Sequence, residues 1–252
     1  MATGSRPLFL FFLTFLGAAG IFGSVSFAFL LVLILALLLI GRTVGLSLSV
    51  DADYVKKSFR FSAGNYFANL FSVAPNRILP IMVLNLLRAE KAAYYYVAFA
   101  IAGLIFLIPA SLSTSLFVEG SHRESLRRNV LKSLAAIAVL LTPAVAFICL
   151  FGGFILHLFG RGYAQAFELL RLFALSSFFF AVVSVYLAVK RVQMDVRRII
   201  LLNGLNCVAL LMLSYLLIPR FDLLGAGYAW MMTYFISSLI VGCLVVKKDR
   251  WV

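Results

Sequence analysis

Charge is scarce in this sequence, and negative charge scarcer still. Only 12% of its 252 residues are Asp, Glu, Lys or Arg, and nine of these are acidic against 22 basic. Globular chains are about 25% charged and about 45–50% apolar, whereas this one is 64% hydrophobic. A soluble fold of this length could not cover its surface with so few polar side chains. Cysteine is limited to Cys149, Cys207 and Cys243, each inside an apolar run, which excludes a disulfide scaffold or zinc ribbon and leaves three small hydrophobes. There is no Gly-rich phosphate loop, no HExxH, no CxxC pair and no Ser/His/Asp set at recognisable spacing. No metal or cofactor site is therefore expected, and the chain reads as a non-enzyme. No window alternates polar and apolar residues, which argues against a membrane β-barrel. What is present is apolar and aromatic: 25 Phe and a mean hydropathy of +1.08 predict an all-α, polytopic membrane helical bundle.

A helix needs about 20 apolar residues to cross roughly 30 Å of hydrocarbon. Such runs lie near 7–22, 24–41, 59–86, 94–117, 133–157, 165–189, 196–217 and 223–246, so eight spans are expected. Only residues 20–24 (GIFGS) separate the first two, and Gly and Ser there suit a tight reversal. The first run also has the form of a secretory signal, with Arg6, then LFLFFLTFL, then GAAG; the apolar run that follows at once argues for an uncleaved span. With eight spans both ends lie on one side, and that side collects 16 of the 22 Lys and Arg. The opposite side has four (Arg88, Lys91, Arg161, Arg220), and Arg77 and Arg171 fall within or at the edge of spans. This asymmetry is a positive-inside signature, placing both termini in the cytoplasm of a plasma-membrane protein. The net charge of +13 follows from topology, so no nucleic-acid partner is expected. Tyr94, Tyr95, Tyr96, Tyr163 and Trp251 read as an interfacial aromatic belt.

The third span carries the densest polar pattern. At 100° per residue, Ser58, Ser62, Asn65, Asn69, Ser72 and Asn76 fall in a stripe about 80° wide and roughly 27 Å long. Amides and hydroxyls facing lipid would each cost several kcal/mol if unsatisfied. The stripe is either interhelical glue or the wall of a water-filled cavity, and its length favours the cavity. Arg77 follows it between Pro75 and Pro80, and a cation at depth reads as a binding site. Its alternative is snorkelling to the interface. Asn203 and Asn206 share a face of the seventh span and could be glue or lining. Glu168 and Arg171, at i and i+3, read as a rim ion pair.

Four segments then resemble the second lobe of polysaccharide-biosynthesis flippases, in the multidrug/oligosaccharidyl-lipid/polysaccharide exporter (MOP) superfamily. They are FRFSAGNYFANLFSVAPNRILPIMVL, AAYYYVAFAIAGLIFLIPASLSTSLFVEGSH, LHLFGRGYAQAFELLRLFALSSFF and NGLNCVALLMLSYLLIPRFDLLGAGYAWMMTYF, in that order. The last holds an Ile-Pro-x-(Phe/Tyr)-(Asp/Gly)-x-x-Gly-Ala link of the family, IPRFDLLGAG from Ile218 to Gly227. The resemblance implies two six-helix lobes around a central cavity, alternating access, and a polyprenyl-pyrophosphate-linked oligosaccharide moved to the outer leaflet. Asn76-Arg77 matches a position where members carry a cavity-facing Asp-Arg or Asp-Lys pair. Asn in place of Asp removes the negative partner that ion coupling would use and leaves Arg77 for an anion. The implied substrate-binding set is Arg77, Asn76, Asn69, Asn65, Ser72 and Ser62, with Asn203, Asn206, Arg171 and Glu168 secondary.

On this alignment residues 1–41 are the last two helices of a first lobe, 42–58 a cytoplasmic inter-lobe linker, and 59–252 a second six-helix lobe with a cytoplasmic tail. Four helices would be missing, so the expected partners are the lipid-linked oligosaccharide, membrane lipids, and a missing N-terminal lobe or second chain. Two other readings compete. A multidrug or peptidoglycan-precursor exporter of the same superfamily is one, and the drug exporter would be expected to carry a deep carboxylate. None of the nine acidic residues lies mid-span. An integral-membrane glycosyl- or phosphotransferase would need paired acidic residues for a metal, and the only close pair, Asp51 and Asp53, reads as a solvated loop.

Overall fold

A computed structural model describes residues 17–43, 52–120 and 126–247. The described elements are all helical, without a strand among them. The chain divides into two units, residues 1–55 and 56–252.

The first unit contains α1 (Gly17–Thr43), 27 residues and about 40 Å long at 1.5 Å per residue. The reversal expected at residues 20–24 is absent, because those residues continue the helix. Gly in a helix costs only about 1 kcal/mol against Ala, and no proline or charge interrupts the apolar run there. The apolar part of α1 is the shorter stretch Ser26–Leu39.

The second unit holds α2 (Ala52–Leu86), α3 (Ala89–Gly120), α4 (Leu126–Leu158), a 3-10 turn (Arg161–Ala166), α5 (Phe167–Val192), α6 (Val196–Phe221) and α7 (Leu223–Lys247). Six helices among the described residues are long and apolar enough to cross a membrane; with the shorter run they make a multi-pass bundle, and the count of eight is not reached. α2 begins at Ala52, inside the stretch 42–58 expected to be linker. The first sixteen residues, the linker residues 44–51 with Asp51, the loop 121–125 with His122, and the tail with Trp251 lie outside the described residues, as do the side chains of Asp53 and Ser58.

α5 is the central helix, packed by α3, α4, α6 and α7. It is apolar all round, as a helix enclosed by others must be. Its buried Ser176 and Ser177 satisfy their hydroxyls on the carbonyls of Phe173 and Ala174. An aromatic cluster joins α3, α5 and α7: Phe99, Phe106, Phe173, Trp230 and Tyr234 stack with ring centroids 5.1–5.9 Å apart. Such pairs are worth about 0.5–1.5 kcal/mol each beyond their burial. Tyr95 belongs to this core, 5.7 Å from Phe99 and 5.9 Å from Phe173, and Tyr94 is also buried. Only Tyr96 is exposed, so the three do not form the expected belt. Three consecutive helical residues sweep about 200° and cannot all face one interface.

The IPRFDLLGAG link is a structural hinge point between α6 and α7. The chain reverses through Asp222 alone, whose φ of 54° lies in the left-handed region. A Cβ on Gly225 would collide with the main-chain carbonyl of Leu217, and one on Gly227 would come within 2.8 Å of Leu172 Cδ1. The two glycines let α7 start against α6 and lie close on α5.

Candidate functional site

α2 packs on the bundle along one face only. Ala68, Pro75, Leu79 and Val83 are buried there, at the i, i+4, i+7 spacing of a helical stripe. It closes on α6 where side chains are small: Gly64 sits against Val196, and Gly204 against Phe71. The polar stripe read from the sequence runs beside this buried face. Ser62, Asn69, Ser72, Asn76 and Arg77 are exposed and Asn65 half-buried, so most of the stripe turns away from the lobe's interior. Tyr66, Phe67, Leu70 and Val73 are exposed too, which leaves α2 at the lobe's edge. Pro75 and Pro80 lie inside the helix. Each removes an N–H, which frees the carbonyls of Phe71 and Asn76 from their usual helical partner.

Ser72 alone of that stripe reaches inward. It stands on the wall of a cavity of about 200 Å³ enclosed by α2, α3, α5, α6 and α7. Ser113 and Thr114 of α3 face the cavity, with Ser184 and Arg191 of α5. Asn203 and Asn206 of α6 and Tyr234 of α7 complete its polar lining. Asn203 and Asn206 are both glue and lining: Asn203 Nδ2 donates to the Ala68 carbonyl at 3.0 Å, and Asn206 Oδ1 accepts from the Ser237 hydroxyl. Thr114 Oγ1 donates to its own helix, at the Ala110 carbonyl, 2.9 Å away. Ser113 Oγ is buried and has no hydrogen-bond partner among the described residues. An unpaired hydroxyl in a dry core is costly, and beside a polar cavity it is available to a ligand or water.

Arg191 is the sole charged side chain on this wall among the described residues. With no carboxylate beside it, the cavity offers a guanidinium fork, hydroxyls and amides. That donor set suits phosphate oxygens and sugar hydroxyls, and it provides no acid–base pair. Ligand pockets run about 300–1,000 Å³, so this cavity has room for part of a large headgroup and must widen to hold more. α2, held along one face, is the wall most readily displaced.

Glu168 and Arg171 do not join the site. Arg171 Nη1 lies 3.0 Å from Glu168 Oε1, both exposed, with the guanidinium 5.3 Å from the Phe167 ring centroid. This is the rim pair read from the sequence. Arg191, Ser113, Thr114 and Ser184 escaped sequence reasoning. Arg191 counted as a loop cation of the topology, although it occupies the last turn of α5. The hydroxyl run SLSTS at 111–115 was the one visible signal for α3.

Membrane-length helices around a polar, carboxylate-free interior define a polytopic membrane protein that can receive a polar solute. No protein-family model matches the chain. Over 223 residues it is 25% identical to a Shigella flexneri protein that carries the provisional name O-antigen transporter, covering 80% of this chain and 53% of that one. A solved MOP superfamily transporter from Pyrococcus furiosus shares the fold with a TM-score of 0.65 at 18% identity, over 77% of this chain and 45% of that one. The chain thus spans about half the length of each. Together these bear out the resemblance read from the sequence: the chain is of the polysaccharide-flippase type within the MOP superfamily. Both relatives are named as transporters, in agreement with the non-enzymatic reading.

Proposed function

We propose that this chain supplies one lobe of a flippase that moves a polyprenyl-pyrophosphate-linked oligosaccharide across the cytoplasmic membrane by alternating access. The observation that carries the reading is the cavity with Arg191 and the unpaired Ser113 on its wall, in a bundle otherwise built of apolar side chains. Charged and hydroxylated headgroups cannot cross dry hydrocarbon without a large desolvation cost. A polar route beside α2 lets the headgroup pass while the prenyl tail stays in lipid.

The exposed stripe Ser62, Asn65, Asn69, Ser72, Asn76 and Arg77 is then the wall of a central cavity. A further lobe, in the same polypeptide or a second chain, covers its other side. α2 separates this central space from the cavity inside the lobe, and its two prolines make it the element that bends. The charge asymmetry places both termini in the cytoplasm. The name of the Shigella relative supports the substrate class. The absence of a carboxylate among the described wall residues disfavours a drug exporter of the same superfamily.

The test is export of lipid-linked oligosaccharide by the assembled transporter carrying Arg191→Gln or Ser113→Ala, with membrane abundance measured alongside. A charge-assisted hydrogen bond is worth about 1.5–3 kcal/mol, so Arg191→Gln should lower export roughly ten- to a hundredfold at unchanged abundance. Ser113→Ala should lower export while leaving stability level or raised, since the hydroxyl has no partner to lose. Normal export by both variants would refute the reading.

A further inference from the structure

Three of the four basic residues assigned to the charge-poor side of the chain meet in one place. Arg88 lies in the α2–α3 turn, Lys91 in the first turn of α3, and Arg220 near the end of α6. The turns that carry them are adjacent at one end of the lobe, because Lys91 Nζ forms an ion pair with Asp222 Oδ2 at 2.9 Å. All three side chains line an open cleft of about 680 Å³, whose remaining walls include Leu86, Leu87, Ile218 and Phe221. Arg88 and Arg220 form no ion pair among the described residues, and Asp222 is the cleft's sole carboxylate among them. The fourth basic residue of that side, Arg161, opens the 3-10 turn and does not line the cleft.

Cations that merely anchor span ends to headgroups would be distributed around the rim. Here two unpaired guanidinium groups and one ammonium converge over apolar side chains, with a single counter-charge. Guanidinium forks match phosphate oxygens two at a time, and the apolar floor suits a hydrocarbon stem. We infer that this cleft is a binding site for a diphosphate group carried on an apolar chain. The inference rests on the flippase reading and deepens it: the cleft lies at the end where the headgroup leaves, and it takes the diphosphate there. Asp222 restrains the site, because it holds Lys91 until a diphosphate competes for the ammonium.

The measurement is calorimetric titration of the purified full chain, in nanodiscs of zwitterionic lipid, with farnesyl diphosphate. Arg88→Gln combined with Arg220→Gln should weaken binding at least tenfold. Arg161→Gln, which removes the same charge outside the cleft, should change it less than twofold. Asp222→Asn should tighten binding severalfold, a gain that a purely structural role for the ion pair would not produce. Separate arms fix the source of the phosphate: inorganic pyrophosphate and farnesol should each bind more weakly than farnesyl diphosphate, and phosphatidylglycerol added to the nanodisc should not displace it. Equal binding of inorganic pyrophosphate, displacement by phosphatidylglycerol, or equal weakening by Arg161→Gln would each overturn the assignment. So would unchanged affinity in the Arg88/Arg220 double variant. Because the readout is binding and not export, the cleft and the flippase reading can fail independently.

Discussion

The side-chain amide of Asn203 on α6 donates to the main-chain carbonyl of Ala68 on α2 at 3.0 Å, joining the lobe's edge helix to its body. A carbonyl has two lone pairs, so Ala68 can accept this bond and keep its helical one. Interhelical hydrogen bonds in membranes are worth about 0.6 kcal/mol on average and up to about 1.7. Asn203→Leu should therefore lower thermal stability in detergent modestly while loosening α2. Limited proteolysis or hydrogen exchange of α2 residues should rise more than that of α5. Uniform protection in both helices would show that the bond does not hold α2.

The two glycines of the α6–α7 link should differ in their tolerance of a methyl group. At Gly225 the obstacle is the backbone carbonyl of Leu217, which cannot move alone, whereas at Gly227 it is the flexible ends of Leu172 and Leu169. Gly225→Ala should be destabilising at the upper end of the usual ~0.5–3 kcal/mol, and Gly227→Ala less so. Gly103→Ala, with nothing within 4 Å of the added carbon, should be neutral or mildly stabilising. Membrane abundance and melting temperature of the three variants check the order.

Arg77 is exposed on α2, with no ion pair among the described residues. If it contacts pyrophosphate in the central cavity, Arg77→Lys keeps the charge without the fork and should impair export partially. Arg77→Gln should impair it roughly ten- to a hundredfold, from a charge-assisted bond of about 1.5–3 kcal/mol. Abundance should hardly change, because removing a charge from a membrane span relieves a cost. A snorkelling anchor would behave differently: Lys would replace it fully, and Gln would export normally.

Much of the lobe was legible because apolar runs and charged gaps leave few alternatives. The runs at 59–86 and 223–246 correspond to α2 and α7, and even the α6 start at Val196 was visible beside Asp195, which caps it by accepting from the Arg198 amide. The reversal at 20–24 failed because Gly and Ser permit a turn without demanding one. The tyrosine belt failed because composition cannot tell which of three consecutive residues faces inward; that depends on Phe99 and Phe173 lying nearby. The stripe on α2 was legible from its 100° period. The cavity was not, since Arg191 looks like any loop cation until α5 is seen to carry it to a wall shared with Ser113 and Asn206.

The central claim is that the polar face of α2 lines water while its neighbouring faces meet lipid, and cysteine labelling tests it most directly. In a background with Cys149, Cys207 and Cys243 replaced by Ala, single substitutions Asn69→Cys, Ser72→Cys and Asn76→Cys would be compared with Phe67→Cys and Leu70→Cys. All five positions are exposed on the lobe, so geometry alone does not separate water from lipid. Phe71 is no control, because it lines the internal cavity. In membranes containing the assembled transporter, an impermeant thiol reagent should modify positions 69, 72 and 76 and leave 67 and 70 nearly unreacted. Equal reactivity at all five, or protection at 69, 72 and 76, would contradict a water-filled cavity on this face.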